Sequence, residues 1–367
     1  MEASKKERIL VVAEKEREVY RGLINSLSKK YIVKELYVGS NHDNPPSILI
    51  KWFSVIKIWK DGLKKFKPAK IIICGGSLMS LWMLVFLIKL FLLKVEIILF
   101  RYDIEHFWPS QKGFSEKFRH FIALVLEKFC LLRADKILHK GLKTELELLP
   151  FYKKIKDKPH YLFREFLDKN LVQECDRNIK LSKKDGKIHL VYVGGLYLKT
   201  LPSIESFWDF YPKITAQKIH LHIYSKQPEE IVKKLEEIER RDSYFHYEGF
   251  MEHDALIKDI PKYDYGIHLF GGGMLKKVDL NVAFSNKNYD YLSAGLPIIV
   301  SNNLEATNEF VTNNKIGFSI EYEDLLKLKD KVVNNDTAFY LENIRAFIKK
   351  CDTVNLLEFI DIKNHPS

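Results

Sequence analysis

Three polar residues, Asn286, Lys287 and Asp290, stand at the start of a short predicted helix and are the strongest candidates for chemistry in this chain. Gly295 is expected to end that helix, and the apolar run 298–300 follows as a buried strand. Unpaired amides and the helix dipole attract anions at such a start, and Lys287 adds a positive charge. The pattern therefore predicts an anion site, although the same helix-to-strand punctuation also occurs without any ligand.

A second candidate anion site is the loop that follows the predicted strand 188–193 and contains Gly194, Gly195 and Lys199. Glycines let the backbone approach a phosphate closely, and a lysine supplies charge. The alternative is a tight turn with a solvated lysine.

Two further loops contain glycines directly after predicted strands. Gly249 and Phe250 follow strand 245–247, and Gly272 is the middle of three consecutive glycines after strand 265–269. Three glycines predict a loop that is mobile or closely approached by a ligand. An ordinary strand-to-helix turn and a flexible lid without direct contact are the respective alternatives.

The loop after strand 95–100 provides three candidate catalytic groups, Asp103, Glu105 and His106. A carboxylate or an imidazole there has the chemistry of a general base or of a charge-stabilising group. A solvated loop without a catalytic role is the alternative.

No metal or other cofactor is expected from the sequence. The remaining histidines form no His-x-x-x-His pattern, and the chain contains no Asp-x-Asp. Walker, dinucleotide-binding and Gly-x-Ser-x-Gly signatures do not occur either. The four cysteines are scattered, which favours a reducing compartment and cytoplasmic localisation.

The elements that position these residues alternate between strand and helix almost throughout, which predicts an α/β protein with parallel sheets covered by helices. The strands predicted in the first half are 9–13, 32–37, 71–74, 95–100, 136–138 and 160–163. Those predicted in the second half are 188–193, 220–224, 245–247, 265–269, 298–300 and 317–320. Ligands of such sheets bind beyond the carboxyl ends of the strands, where all the loops above lie.

Length and net charge limit the possible domain organisation and partners of the chain. With 367 residues it is long enough for two domains, predicted at 1–167 and 187–337 with a polar linker between them. The net charge of +11 fits either nucleic acid or an anionic membrane surface, and dispersed lysines favour peripheral contact with the cytoplasmic face of a membrane over nucleic acid. The apolar segment 78–93 is too short for a span and is interrupted by Lys89, so we expect a helix that is buried or dips partly into a membrane.

The string Lys-Asn-Tyr-Asp-Tyr-Leu-Ser-Ala-Gly-Leu-Pro at 287–297 resembles the donor-site signature of GT-B fold glycosyltransferases, especially the family 4 type. The resemblance implies that Asp290, one methylene shorter than the usual glutamate, holds the ribose of a nucleotide sugar. It also implies that Lys199 binds the diphosphate, although Gly195 stands where the family's loop has an arginine. The acid expected eight residues before Asp290 is Val282 here, so the stereochemical outcome stays open.

By the same resemblance, Gly249 and Phe250 receive the nucleobase and Glu309, in the turn after strand 298–300, reaches the donor. Two Rossmann-like domains would face a cleft, and a terminal helix at 338–360 would return to the first, acceptor-binding domain. The implied function is hexosyl transfer from a UDP- or GDP-sugar to a glycan or lipid-linked acceptor in cell-surface polysaccharide assembly. A non-hydrolysing nucleotide-sugar epimerase and a catalytically silent scaffold partner are the alternatives.

Overall fold

A computed structural model describes the larger part of the chain. The described residues are 6–13, 19–37, 56, 58–75, 85, 88, 94–101, 114–140, 145–163, 172, 179–196, 207–269, 284–350 and 354–362. The chain divides into two compact units, one formed by residues 1–166 with 352–367 and the other by 167–351.

The first unit contains a six-stranded sheet in which every recorded pair of strands is parallel. Its strands are β1 (Arg8–Ala13), β2 (Ile32–Tyr37), β3 (Lys70–Cys74), β4 (Glu96–Arg101), β5 (Lys136–His139) and β6 (His160–Leu162). The central strands β1, β3 and β4 are almost continuously apolar and buried, because helices cover both faces of a parallel sheet. The strand order is β2-β1-β3-β4-β5-β6.

Helices of the first unit pack against this sheet through apolar stripes. They are α1 (Val19–Ser28), the π-helical segment α2 (Ile58–Phe66) and α3 (Phe114–Arg133). In α1 the buried residues Tyr20, Leu23 and Leu27 recur at helical spacing and form one face. Val85 and Ile88, within the segment expected as a buried helix, are helical and fully buried. Among the described residues no helix is long and apolar enough to cross a membrane.

The second unit contains another six-stranded parallel sheet with a different strand order, β12-β11-β10-β7-β8-β9. Its strands are β7 (His189–Val193), β8 (His220–Tyr224), β9 (Phe245–Gly249), β10 (Tyr265–His268), β11 (Ile298–Ser301) and β12 (Gly317–Ile320). The chain runs outward from β7 through β8 to β9 and then resumes on the other side of β7 at β10. The strand order therefore reverses between β7 and β10, which is where doubly wound sheets bind ligands.

Eight helices of the described residues belong to the second unit. They are α4 (Ser182–Asp185), α5 (Phe207–Thr215), α6 (Glu229–Arg241), α7 (His253–Asp259), α8 (Lys287–Ser293), α9 (Glu305–Asn313), α10 (Leu328–Val333) and α11 (Thr337–Lys350). The α6 helix is amphipathic, with Leu235 buried, acidic residues in the first turn and arginines in the last. The core joins α5, α6 and α11 to the central strands.

In the C-terminal region, where the sequence predicts a helix over 338–360, the structure describes helical residues at 337–350 and 354–361. The first is α11, which ends in Lys349 and Lys350, cations that suit a helix C-terminus, and whose Tyr340 lies in the second unit's core. The other, α12 (Val354–Asp361), belongs to the first unit, where the buried ammonium of Lys136 donates to the carbonyl of Ile360 at 2.7 Å.

The predicted fold class is confirmed, with two Rossmann-like parallel-sheet units. All the predicted strands form, and their ends agree to within two residues. Among the described residues, Glu145–Leu148 form a short 3-10 turn. Four residues fill little more than one turn, which is the length at which 3-10 geometry is common.

Candidate functional site

The point at which the strand order reverses is closed by the side chain of Tyr291. The register of β7 with β10 ends at Val191 and Gly266. Beyond it, the Val193 N–H donates to the Tyr291 hydroxyl at 3.0 Å, and that hydroxyl donates to the Ile267 carbonyl at 2.9 Å. Tyr291 thus replaces the missing strand-to-strand hydrogen bonds and attaches α8 to the carboxyl ends of both strands.

Gly266 allows this attachment because the ring of Tyr291 lies directly on the backbone of β10. A Cβ atom added at Gly266 would lie 2.3 Å from Cγ of Tyr291. No real Cβ contact is that short, so a glycine is required here. Since α8 is held by this contact, the residues of its first turn, Lys287 and Asp290, have fixed positions above the sheet edge.

Lys287 extends from α8 over the end of β7. Its Nζ lies 3.9 Å from the ring centroid of Tyr192, and its Cε lies 3.7 Å from the position that a Cβ at Gly194 would occupy. Burial lowers the pKa of Lys287 to about 7, and the charge of Asp290 only partly opposes this shift. Among the described residues no carboxylate forms a salt bridge with this ammonium.

Asp290 lies one helical turn beyond Lys287 and contacts a histidine from another element. His253, the first residue of α7, has its Nε2 3.0 Å from Oδ1 of Asp290. Both side chains are only partly buried, at 22% exposure for His253 and 19% for Asp290. The histidine orients the carboxylate, because a hydrogen bond fixes the rotamer of a short side chain.

The glycine loop after β7 has the shape that close approach requires. Gly194 has φ +109°, in the region that favours glycine, and its N–H donates to the Tyr224 carbonyl at 2.9 Å. The Tyr192 hydroxyl donates to the Gly195 carbonyl at 2.7 Å. A Cβ added at Gly195 would meet nothing within 4 Å, so the space beside it is open.

Gly249 is the last residue of β9, and Phe250 follows it at the same edge of the sheet. Gly249 has φ +76° and accepts a hydrogen bond from the Ser225 N–H at 2.8 Å. The Phe250 ring is 56% exposed, and Nζ of Lys226 lies 5.5 Å from its centroid. An exposed aromatic ring beside a cation offers a face on which a planar base can stack.

Two other predicted residues have different surroundings. Asn286 is partly buried, and its Oδ1 atom has no hydrogen-bond partner among the described residues. Glu309 is in the middle of α9 and exposed, not in a turn after β11. The turn prediction was wrong because Leu304 ends the turn, and Ala306, Thr307, Phe310 and Val311 then supply the buried face of a helix. Asp103, Glu105, His106, Lys199 and Gly272 lie outside the described residues.

Sequence reasoning missed the partners that hold the predicted residues in place. His253 is 37 residues from Asp290 in the chain, so no local spacing relates the two. Tyr291 could have been noticed, because a tyrosine four residues after a helix-start lysine lies on the same face of the helix. A further buried pair, Nδ1 of His268 and Oδ1 of Asn288 at 3.1 Å, supports α8 from β10.

The two sheets and their strand orders define the class of the protein as a GT-B fold. Solved structures with this architecture cover nearly the whole chain. A glycosyltransferase from Rickettsia africae ESF-5 is 14% identical, with TM-score 0.56 over 98% of this chain and 100% of that one. UGT2 of Phytolacca americana, complexed with UDP-2fluoro-glucose and pterostilbene, is 9% identical, with TM-score 0.54 over 96% and 98%.

The same architecture also occurs in an epimerase. UDP-GlcNAc 2-epimerase from Neisseria meningitidis, bound to UDP-GlcNAc, is 11% identical, with TM-score 0.52 over 96% of this chain and 100% of that one. At these identities the likeness shows the fold alone. No curated protein matches the chain by sequence.

A family model matches part of the chain. Residues 207–354 match the glucosyltransferase 3-like, C-terminal domain. The matched region runs from α5 to the start of α12 and includes Gly249, Phe250, His253, Lys287 and Asp290. The finer resemblance to the family 4 type stays a prediction.

Proposed function

We propose that the protein is a glycosyltransferase that transfers a hexose from a UDP- or GDP-sugar to a glycan or lipid-linked acceptor. The observation that carries the proposal is the position of Lys287, a desolvated ammonium beside an open glycine turn at the strand-order reversal. Such a cation lacks a compensating anion, and a donor diphosphate would supply one.

The chemistry of the step follows from this placement. When the sugar leaves, negative charge develops on the nucleoside diphosphate, and a fixed cation in a poorly solvated position stabilises that charge strongly. Lys287 would supply this stabilisation at the diphosphate, where the sequence leads us to expect no metal ion. Backbone around Gly194 and Gly195 is open enough for close approach of phosphate oxygens.

Asp290 would then bind the ribose hydroxyls, with His253 fixing its rotamer, and Phe250 would stack on the base. These roles agree with the order of the strands at this edge of the sheet, in which β10 is followed by β7, β8 and β9. The class of acceptor is proposed from the sequence only. The same holds for the catalytic base, for which Asp103, Glu105 and His106 are the candidates. Peripheral contact with an anionic membrane surface is supported by the net charge of +11.

An epimerase is the second candidate, because an enzyme that epimerises a UDP-sugar has the same fold. The match of residues 207–354 to a glucosyltransferase domain favours transfer over epimerisation. A silent scaffold partner, the third possibility, would bind nucleotide without turning it over.

The binding part of the proposal is tested by calorimetry with UDP and GDP on the full chain. Substitution Asp290→Ala should lower the affinity for UDP or GDP, whichever binds more tightly to the wild type, at least about tenfold. The reason is that a charge-assisted hydrogen bond contributes roughly 1.5–3 kcal/mol. The matched control is Glu237→Ala, an exposed carboxylate on α6, which should bind as the wild type does. Unchanged affinity in Asp290→Ala would remove this residue from the site.

The reaction itself is tested with a panel of UDP- and GDP-sugars, with and without lipid-linked and glycan acceptors. Release of UDP or GDP that requires an acceptor supports transfer. Conversion of the donor into its C2 epimer without release identifies an epimerase, and nucleotide binding without any turnover identifies a scaffold; either outcome contradicts the proposal.

A further inference from the structure

The outer face of helix α3 in the first unit exposes large apolar side chains to solvent. Phe118 is 56% exposed, Phe121 is 62% exposed and Val125 is 50% exposed. Their spacing of three and four residues places them side by side on one face of the helix. Single exposed apolar residues need no explanation, whereas a contiguous row that contains two aromatic rings indicates a contact surface.

A buried ion pair determines which face of α3 points outward. Glu127 is fully buried, and its Oε1 lies 2.7 Å from Nη2 of Arg101 at the carboxyl end of β4. Cys130 and Leu131 are buried on the same side of the helix. At about 100° per residue, Glu127 projects away from Val125. Rotation of the apolar row into the core would break a buried ion pair, which is strongly unfavourable.

The charges on the outer face of α3 are positive. Lys117 and Lys128 are exposed and lie beside the apolar row, four residues before Phe121 and three residues after Val125. Among the described side chains of this helix the only carboxylate is that of Glu127, which points inward. The face therefore combines apolar side chains with cations.

The surface continues from α3 onto a later segment of the first unit. Nζ of Lys128 lies 5.8 Å from the ring centroid of Phe151. Of the charged side chains within four residues of Phe151 in the chain, Lys153 and Lys154 are exposed cations and Glu147 is an exposed acid. Cations thus outnumber acids around the apolar row.

This combination fits an anionic lipid bilayer. A helix at a membrane surface buries its apolar side chains below the headgroups, and its lysines contact the anionic lipids. A second copy of this chain fits less well, because the row 118–125 is only about 10 Å long. A stable protein interface buries about 800 Å² on each partner, and symmetric contact would bring the lysines of two copies together.

We propose that α3 docks the first unit on an anionic membrane through Phe118, Phe121 and Val125, with Lys117 and Lys128 on the headgroups. The helix runs from the carboxyl end of β4 to the amino end of β5, so the row in its first half lies toward the carboxyl ends of the strands. Ligands of parallel sheets bind at those ends. The inference rests on the proposed glycosyl transfer for one consequence, namely that the acceptor is lipid-linked rather than a soluble glycan.

Flotation of the full chain with vesicles tests the docking. Two compositions are compared, pure phosphatidylcholine and an equal mixture with phosphatidylglycerol. The wild type should bind the mixed vesicles, and added NaCl should weaken binding because it screens the lysines. Phe118→Gln combined with Phe121→Gln should lower the partition coefficient at least about tenfold, through loss of two buried rings. Lys117→Gln combined with Lys128→Gln should lower it at least about tenfold on mixed vesicles only.

The substituted side chains are exposed, so the variants should unfold at the wild-type midpoint. Phe339→Gln, which removes an exposed aromatic ring from α11, is the matched control and should bind vesicles as the wild type does. Nucleotide affinity should be the same in all these proteins, so a failure of docking is distinguished from a failure of the proposed transfer. Turnover with soluble glycans alone would contradict the lipid-linked acceptor.

Two results would overturn the docking itself. One is a wild type that does not bind mixed vesicles, and the other is a Phe118→Gln, Phe121→Gln protein that binds them as the wild type does. A dimer that forms without lipid and is lost in the same double variant would assign the face to a second copy of the chain instead. Analytical ultracentrifugation measures that association.

Discussion

Lys287 differs from Lys136 and Lys70 in that no carboxylate of the described residues forms a salt bridge with its ammonium. The ammonium of Lys136 lies 2.8 Å from Glu96, and that of Lys70 lies 2.7 Å from Glu7. Burial of an ammonium without such a partner is costly, and the lowered pKa of Lys287 expresses that cost. Perturbed groups of this kind cluster at functional sites.

Substitution Lys287→Met separates binding from stability. The variant should keep or exceed the wild-type unfolding midpoint, since a desolvated ammonium is replaced by an apolar chain of similar length. Its affinity for UDP or GDP should fall at least about tenfold, by loss of a charge-assisted contact worth roughly 1.5–3 kcal/mol. Urea unfolding and calorimetry measure the two effects.

The matched control is Lys234→Met, an exposed lysine on α6 that should change neither quantity. A Lys287→Met variant that binds nucleotide normally, or that unfolds much more easily than the wild type, would show that the lysine serves the fold.

At this scale the sequence predicts the helix-borne pair Lys287 and Asp290 because three residues separate them on one helical face. It does not predict the contact of Asp290 with His253, which depends on the packing of α7 beside α8. It also does not predict that His222 and His246 lie side by side, because they come from two different strands.

Among the elements, the connection of α8 to the sheet determines the geometry of the site. Tyr291 spans the gap between β7 and β10, and Gly266 provides the space for its ring. These contacts fix the first turn of α8 relative to the carboxyl ends of β7 and β10.

Substitution Gly266→Ala tests this connection. The added Cβ would overlap the Tyr291 ring, so the variant should lose about 1–3 kcal/mol of unfolding free energy. Displacement of α8 should also weaken nucleotide binding. Gly195→Ala is the control, because its Cβ meets open space and the unfolding free energy should not change. A Gly266→Ala chain as stable as the wild type would contradict the described packing.

Strands were predictable because runs such as Lys-Ile-Ile-Ile-Cys and Glu-Ile-Ile-Leu-Phe-Arg are apolar, β-branched and bounded by polar residues. The short 3-10 turn at Glu145–Leu148 was not, because its apolar spacing fits a helix equally well. The gap between β7 and β10 could not be predicted from the sequence either, since it depends on the order of the strands in the sheet.

For the whole molecule, the two units share parallel sheets and differ in strand order. Alternation of strands and helices predicts the shared part. The order of strands in each sheet depends on which helix crosses which face, and nothing local in the sequence records that choice. The reversal between β7 and β10 could therefore be located only from the structure.

Acid stability of the second unit follows from His220, His222 and His246, which lie on one face of β8 and β9. Burial lowers the pKa of His220 and of His222 to about 4 and also lowers the pKa of His246. The charged groups that face these histidines are Asp185, Lys187, Glu239, Asp242 and Glu248. In the unfolded chain a histidine has a pKa of about 6.5, so protons bind the unfolded state more tightly.

Unfolding free energy of this unit should thus be constant above about pH 6.5 and fall by a few kcal/mol as the pH decreases to about 4. Hydrogen exchange of the β7–β9 amides follows this unit specifically. His222→Gln should show a shallower dependence on pH. An opening free energy of wild-type amides that does not change between those pH values would be inconsistent with neutral buried imidazoles.

The most direct measurement of the central claim is the proton uptake that accompanies nucleotide binding. At about pH 8.5 the free protein holds Lys287 largely neutral, because its pKa is about 7, while a bound diphosphate favours the charged form. UDP and GDP are already fully ionised at this pH. Calorimetry in buffers of different ionisation enthalpy should therefore find close to one proton taken up per nucleotide in the wild type and none in Lys287→Met. Binding without proton uptake, or equal uptake in both proteins, would contradict the assignment of Lys287 to the diphosphate.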